Sequence, residues 1–376
     1  MDPREGWATG VSAGREYRST VDASLHRPGT DRPFGPLTYI VGHSRGGTTW
    51  LGALVACHPA VRYLFEPFAS QAHPCTGIDT QTIFNGGRFI HRRKLGRPVA
   101  DIPVPRFFRD PGADPGDDLL ATLTAAHLGQ VARQAFPDER DYHLVAKQPR
   151  IENVGWAAAA IGADHVIALD RHPFGVVNSV RRWGMLNWTK IEWAILAVDP
   201  AIGPAERALV RDARSPEERL LVTSWLRSQH LRRFAAVHPA TVLVDYESLC
   251  LDPVTETARL WRAIGLAAEE AAVMRLREFL ATRGDGEDRR SRFLNVHKDP
   301  LSRVHAWRQE LPDSLRRRLE QFVRRHALDI PLPGAGLPEM ASAERWLSRR
   351  ADLLALGDHC RRLAAGLAGI DRAGAA

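Results

Sequence analysis

The residues most able to do chemistry crowd into one stretch, YIVGHSRGGTTW at 39–50. Gly42, Ser44 and Gly46 fit the G-x-S-x-G elbow, in which Ser44 would be an acyl-accepting nucleophile. In a shifted frame, Gly42, Gly47, Thr48 and Thr49 nearly fit a Walker phosphate loop. A third chemistry needs neither motif. A glycine turn, the hydroxyls of Thr48 and Thr49, and the fixed charge of Arg45 at a helix start form an anion cradle. Such a cradle suits one phosphate bearing a further anionic group.

The first two readings each lack a part. An elbow comes deep in its sheet, after an oxyanion loop of the HGGG type, and residues 1–36 contain no such loop. A Walker loop needs a lysine ahead of its Ser/Thr to reach the β- and γ-phosphates, and Thr48 stands there. The run HVIALD imitates a Walker B strand ending in Asp170, so a divergent P-loop kinase stays open, as does a hydrolase using Ser44.

The elements that must hold these residues follow from periodicity. LTYIV (37–41) is a short apolar run ending in Gly42, a buried-strand signal, and TTWLGALVACHP then has helical spacing stopped by Pro59. Further strands are expected at 61–65, 142–146, 165–170 and 241–246. Helices are expected from Asp117 to about 136, after Asp170, and over 216–237, 253–264, 268–281 and 313–327. Alternating strands and helices predict an α/β fold, a P-loop-like parallel sheet with helices on both faces. Residues 1–36 read as a loose arm and 37–330 as the catalytic domain. The irregular stretch 69–116 reads as a functional insertion. Residues 331–376 read as a helical extension. There Trp346, Leu353, Cys360 and Leu367 repeat every seven, which suits a helix packed on its own domain or a homodimer seam.

Composition bounds the class. The chain has 376 residues, 44% of them hydrophobic, with a net charge of +7 that favours anionic ligands. No aromatic and basic interleaving marks a nucleic-acid module, and no apolar run is long enough to span a membrane. The four cysteines lie far apart without metal spacing, and the first residues lack an apolar signal region. A cytoplasmic protein without a structural metal is expected.

Four segments in order resemble the sulfotransferase superfamily, whose donor is 3'-phosphoadenosine 5'-phosphosulfate (PAPS). SRGGTTW (44–50) is similar to its 5'-phosphosulfate loop, with Arg45 in the basic slot that is arginine in carbohydrate and protein-tyrosine members. HPAVRYLFEPF (58–68) resembles the next segment, with Glu66 where those members carry a catalytic glutamate. VAKQP (145–149) resembles the K-x-P element through Lys147. ALDRHPFGVVNSVRRW (168–183) resembles the 3'-phosphate signature, with Arg171 and Ser179. A fifth segment, LVDYESLCLDP, brings Tyr246 and Glu247 in a Y-E-x-L pattern. Two departures stand out: Gly47 where the family usually has Ser, and His172 where it usually has Asp.

The resemblance implies a division of labour. Gly46, Gly47, Thr48, Thr49 and Trp50 would hold the 5'-phosphate and Arg45 would neutralise the leaving oxygen. Arg171 and Ser179 would grip the 3'-phosphate, and Tyr246 or Trp50 would border the adenine. Glu66 would act as general base on an acceptor hydroxyl while Lys147 stabilises the transferring group. His43, His58 and His172 are alternative bases. The acceptor would be a small molecule or glycan, with 69–116 and 184–204 as its pocket, and Arg303 or Lys298 could close over the nucleotide.

Overall fold

The computed structural model describes residues 32–68, 119–149, 151–186, 202–282, 300–304 and 306–332, with Trp193 and Leu196. The expected arm, the 69–116 insertion, Asp117, Lys298 and the heptad helix lie outside the described residues, as does most of 187–201.

Five parallel strands form the sheet: β1 (Leu37–Gly42), β2 (Val61–Phe65), β3 (His143–Lys147), β4 (His165–Asp170) and β5 (Thr241–Asp245), in the order β2-β3-β1-β4-β5. Every residue of β1 and β3 is buried, as inner strands of a sheet covered on both faces require. The outer strands β2 and β5 each carry half-buried and exposed positions. Successive side chains of β1 point to opposite faces. Tyr39 and Val41 join a core with the helices Leu119–Ala135 and Val154–Ile161. Ile40 joins the opposite core, with Leu51 and Leu54 of the Thr48–Val55 helix and Trp261 of the Pro253–Ala263 helix. A third core, around Phe174, Trp307 and Phe322, packs the Pro173–Arg182 helix against Pro216–Val237 and Asp313–Arg325.

Strand order decides where a ligand can enter. From β1 the chain crosses β3 to reach β2, whereas β4 lies on the other side of β1 and leads outward to β5. Neighbouring strands whose connections diverge leave a crevice at their carboxyl ends. Here the crevice lies between the loop after β1 and the turn after β4.

Most expected elements form, with shifts that have local causes. β3 begins and ends one residue later than expected, so Lys147 is its last residue, paired with Phe65 on one side and Ile40 on the other. Tyr246 leaves β5 and starts the helix Tyr246–Leu251, because the Asp245 side chain caps it by accepting from Ser248 N–H at 2.7 Å. The first helix ends at Val55, short of Pro59. Helices at 154–161 and 204–212 were not expected; the first is a mostly buried VGWAAAAI run ended by left-handed Gly162.

Candidate active site

The loop after β1 turns on two left-handed residues, Arg45 at φ 68 and Gly47 at φ 101, and Gly46 N–H closes it on the His43 carbonyl at 2.7 Å. The first amides of the 48–55 helix have no intrahelical acceptor. This end has no side-chain cap and no acid in its first turn. Thr48 is buried against Gly42, where a Cβ would come within 2.6 Å of its methyl group, while Thr49 and Trp50 are half-buried.

Gly47 has a further role. A Cβ there would overlap the ring of Tyr246, which packs directly on the loop. The missing side chain at this departure from the family pattern therefore makes room for an aromatic ring. Trp50 meets the same ring edge-on at 6.3 Å. The Arg171 guanidinium lies over its face, 4.3 Å from the centroid, with Gly175 close against Arg171 Nε on another side. Tyr246 thus joins the core around Ile40, Leu51 and Trp261 to the loop after β1.

Arg171 Nη1 donates to the Arg45 carbonyl at 2.8 Å, which ties the β4 turn to the β1 loop across the crevice. Its Nε is buried and has no acceptor among the described residues. A buried donor of this kind can take an anionic ligand as its partner. Arg45 lies over the Trp183 ring at 5.0 Å. Burial, then the charges of Arg171 and Arg182, lower the Arg45 guanidinium to about 10. Arg303 is also lowered, by burial first and then by Arg182 and other cations. Arg182 binds Glu310 at 3.3 Å, Asn178 donates to the same carboxylate at 2.7 Å, and Arg303 approaches it at 3.9 Å. Ser179 sits half-buried on the Pro173–Arg182 helix with no side-chain hydrogen bond to Arg171 among the described residues.

Glu66 and Lys147 meet at the ends of the next strands. Glu66 N–H continues the ladder to the Lys147 carbonyl at 2.9 Å, and the residue then turns left-handed at φ 46. Its carboxylate receives Lys147 Nζ at 2.5 Å; the lysine side chain is 3% exposed and the glutamate 31%. Nζ also lies 4.5 Å from the centre of the Phe65 ring. Burial lowers the Lys147 ammonium, Glu66 opposes that shift, and the Arg45 charge adds to it. A solvent-exposed strand-end lysine is therefore not what the sheet builds here.

Two of the alternative bases, His172 and His58, are engaged in structural hydrogen bonds. His172 caps the 173–182 helix: its Nδ1 accepts from Phe174 N–H at 3.3 Å and its Nε2 donates to the Pro331 carbonyl at 2.8 Å. The ring stacks on Trp307 at 5.0 Å, and burial holds it near pKa 4. His172 is thus the N-cap of this helix through its own ring nitrogen. His58 bonds the Ala267 carbonyl and Ala60 N–H. His43 is buried, and burial and the Arg227 charge hold it well below its usual range.

Neither competing motif is completed. Asp170 accepts from Ser228 at 2.6 Å and from Arg171 N–H at 3.0 Å, and pairs with Arg232 at 3.2 Å, so both its oxygens are engaged. Ser44 is exposed, and no histidine among the described residues hydrogen-bonds its hydroxyl. Among the described residues, no His/Cys/Asp/Glu cluster could hold a metal ion, and no helix is long and apolar enough to cross a membrane.

A cationic, amide-rich crevice at the carboxyl edge of a parallel sheet defines a P-loop-like α/β protein built to handle an anionic group. Residues 36–270 match the family model described as Sulfotransferase family, and the chain belongs to that family. It is an enzyme of sulfuryl transfer. Solved structures with some likeness include the sulfotransferase domain of the curacin biosynthetic pathway, 17% identical over 80% of this chain and 100% of that one, TM-score 0.42. The sulfotransferase domain of the Synechococcus PCC 7002 olefin synthase is 20% identical over 81% and 99%, TM-score 0.41. A mouse sulfotransferase complexed with PAP is 11% identical over 79% and 87%, TM-score 0.38. No curated protein matches the chain.

Proposed function

We propose that the chain transfers the sulfuryl group of PAPS to a hydroxyl of a sugar, glycolipid or other small metabolite. The observation that carries this reading is Arg171. Its guanidinium is stacked on Tyr246 and anchored to the Arg45 carbonyl, and its buried Nε lacks an acceptor among the described residues. A 3'-phosphate would satisfy that donor. Ser179, on the helix that follows, is the hydroxyl available to assist.

The remaining roles follow from position. The amides of Gly46, Gly47, Thr48, Thr49 and Trp50, with the threonine hydroxyls, receive the 5'-phosphate. Arg45 offsets negative charge on the oxygen that leaves with the nucleotide. Glu66 takes the proton of the acceptor hydroxyl. Lys147 holds the Glu66 carboxylate in place and, once the acceptor is bound, turns its charge toward the sulfuryl oxygens. Phosphoryl transfer is the nearest chemical analogue, and there positioning and charge stabilisation dominate.

Incubation with sulfur-labelled PAPS and a metabolite extract, with a chelator present, tests the reading. Label in an organic acceptor is the expected result. Transfer from γ-labelled ATP instead, restored only by magnesium, would assign the site to a kinase.

A further inference from the structure

The turn after β4 holds Arg45 by its main chain, through Arg171, and the helix that follows holds the other end of the same residue. The Arg45 guanidinium lies over the Trp183 ring, 5.0 Å from its centroid. Trp183 is half-buried and is the C-cap of the Pro173–Arg182 helix. The transfer described above gives it no role.

The place of that ring is set by the way the helix ends. Trp183 N–H donates to the Ser179 carbonyl at 3.3 Å, Gly184 N–H to Arg181 at 3.0 Å and Met185 N–H to Val180 at 3.1 Å. The last two bonds, with Gly184 left-handed at φ 67, form a Schellman closure. A Cβ at Gly184 would meet nothing within 4 Å, so the glycine serves the backbone and not the packing. Val180 lies in the third core and Met185 packs against it, the apolar contact that accompanies such a closure. The ring therefore projects from a fixed helix end.

The arginine it meets is under electrostatic load. Arg45 is left-handed at φ 68, and the charges of Arg171 and Arg182 both oppose its own. A carboxylate set against the guanidinium would hold it but offset the charge that transfer requires. An aromatic face attracts a cation through its quadrupole and uses none of the N–H donors. This contact thus restrains the group without neutralising it.

We propose that Trp183 is a positioning residue that presents the Arg45 guanidinium to the bridging oxygen of the donor. This rests on the reading of Arg45 as the cation at that oxygen. In transfer the bond between sulfur and the bridging oxygen breaks, and its electron pair stays on that oxygen. The acceptor oxygen bonds to sulfur and gives its proton to Glu66. In PAPS the bridging oxygen is shared by phosphorus and sulfur and carries little charge. In 3'-phosphoadenosine 5'-phosphate (PAP) it is a terminal, ionised phosphate oxygen. A guanidinium held at that atom favours the transition state and PAP over PAPS.

Three measurements test the proposal: PAP affinity by calorimetry, PAPS affinity by competition against PAP without an acceptor, and label transfer from PAPS to a metabolite extract. Trp183→Leu should weaken PAP about threefold to tenfold, leave PAPS nearly unchanged, and lower transfer at saturating PAPS by a similar factor. Trp183→Phe, which keeps a ring, should recover most of the loss. Arg45→Met should show the same pattern more strongly, and adding Trp183→Leu to it should change little further. A folded Trp183→Leu protein with the wild-type ratio of PAP to PAPS affinity, or losses that add in the double variant, overturns the role of Trp183. If Trp183→Leu does not fold, a fluorinated tryptophan at 183 keeps the shape but weakens the negative face of the ring. It should then shift the ratio the same way, and an unchanged ratio overturns the role. An Arg45→Met protein with the wild-type ratio would instead remove the reading of Arg45 on which the proposal stands.

Discussion

Arg171 donates through Nη1 to the main-chain carbonyl of Arg45 at 2.8 Å, joining residues 126 positions apart. The bond makes the anion cradle a joint product of two strand ends. The β1 loop supplies amides and one guanidinium, and the β4 turn supplies the other. Neither segment alone brings two guanidinium groups to this edge of the sheet.

Removing the carboxylate charge at Glu66 should separate binding from transfer. Glu66→Gln keeps the left-handed turn and the ladder bond to Lys147, so PAP should bind as before. Loss of a general base lowers turnover by about two to four orders of magnitude. Steady-state kinetics with PAPS and an identified acceptor check this, and unchanged turnover would remove Glu66 from the base role.

Lys147→Met should lower transfer with little change in folding. Its ammonium is buried but its partner is partly open to water, so Glu66 can be solvated once the cation is gone. A methionine fills similar volume against Phe65, and exchange of a buried charge for an apolar chain is often near neutral for stability. A melting temperature within a few degrees of wild type, with turnover lost, is the expected pair of results.

Gly47→Ala should harm the site more than its size suggests. The position has φ 101, and the added Cβ would overlap the Tyr246 ring beneath Arg171. Strain of this kind costs about 1–3 kcal/mol. Displacing Tyr246 also moves Arg171, so the variant should lose PAP affinity by more than its melting shift implies. Retained affinity would show that the Tyr246 stack does not set the position of Arg171.

Acid should unfold the protein through its buried histidines. Burial holds His143, His172 and His230 near pKa 4, below the unfolded value of 6.5. Between those values the unfolded chain binds more protons, so stability falls as pH falls through that window. Urea midpoints measured from about pH 7 down to about pH 4 should decline, and His172→Asn, which can still cap the helix, should flatten the decline.

Much of this site was legible in the chain because β-strand ends and glycine turns are local signals. Residues 37–42 and 165–170 read as strands from uninterrupted apolar runs, which placed Arg45 and Arg171 at one edge. Glu66 and Lys147 could be placed at strand ends, but their pairing depends on β2 and β3 being neighbours, which no local pattern encodes. Glu247 can be quoted in the Y-E-x-L segment but given no role, and Arg182 cannot be singled out, for a related reason. Their partners lie far away in sequence, a His172 amide in one case and Glu310 on another helix in the other. His172 looked like a departure from the family pattern, yet its ring nitrogen performs the capping that an aspartate would.

The proposed function stands on Arg171 as the partner of the nucleotide's 3'-phosphate. Titration calorimetry of PAP against wild type and Arg171→Ala tests it most directly, with circular dichroism to confirm that the variant folds. Losing a charge-assisted, bidentate phosphate contact should weaken binding by at least about tenfold, while adenosine 5'-phosphate, which lacks the 3'-phosphate, should bind both proteins with similar weakness. Equal affinity of the folded variant and wild type for PAP would contradict the account.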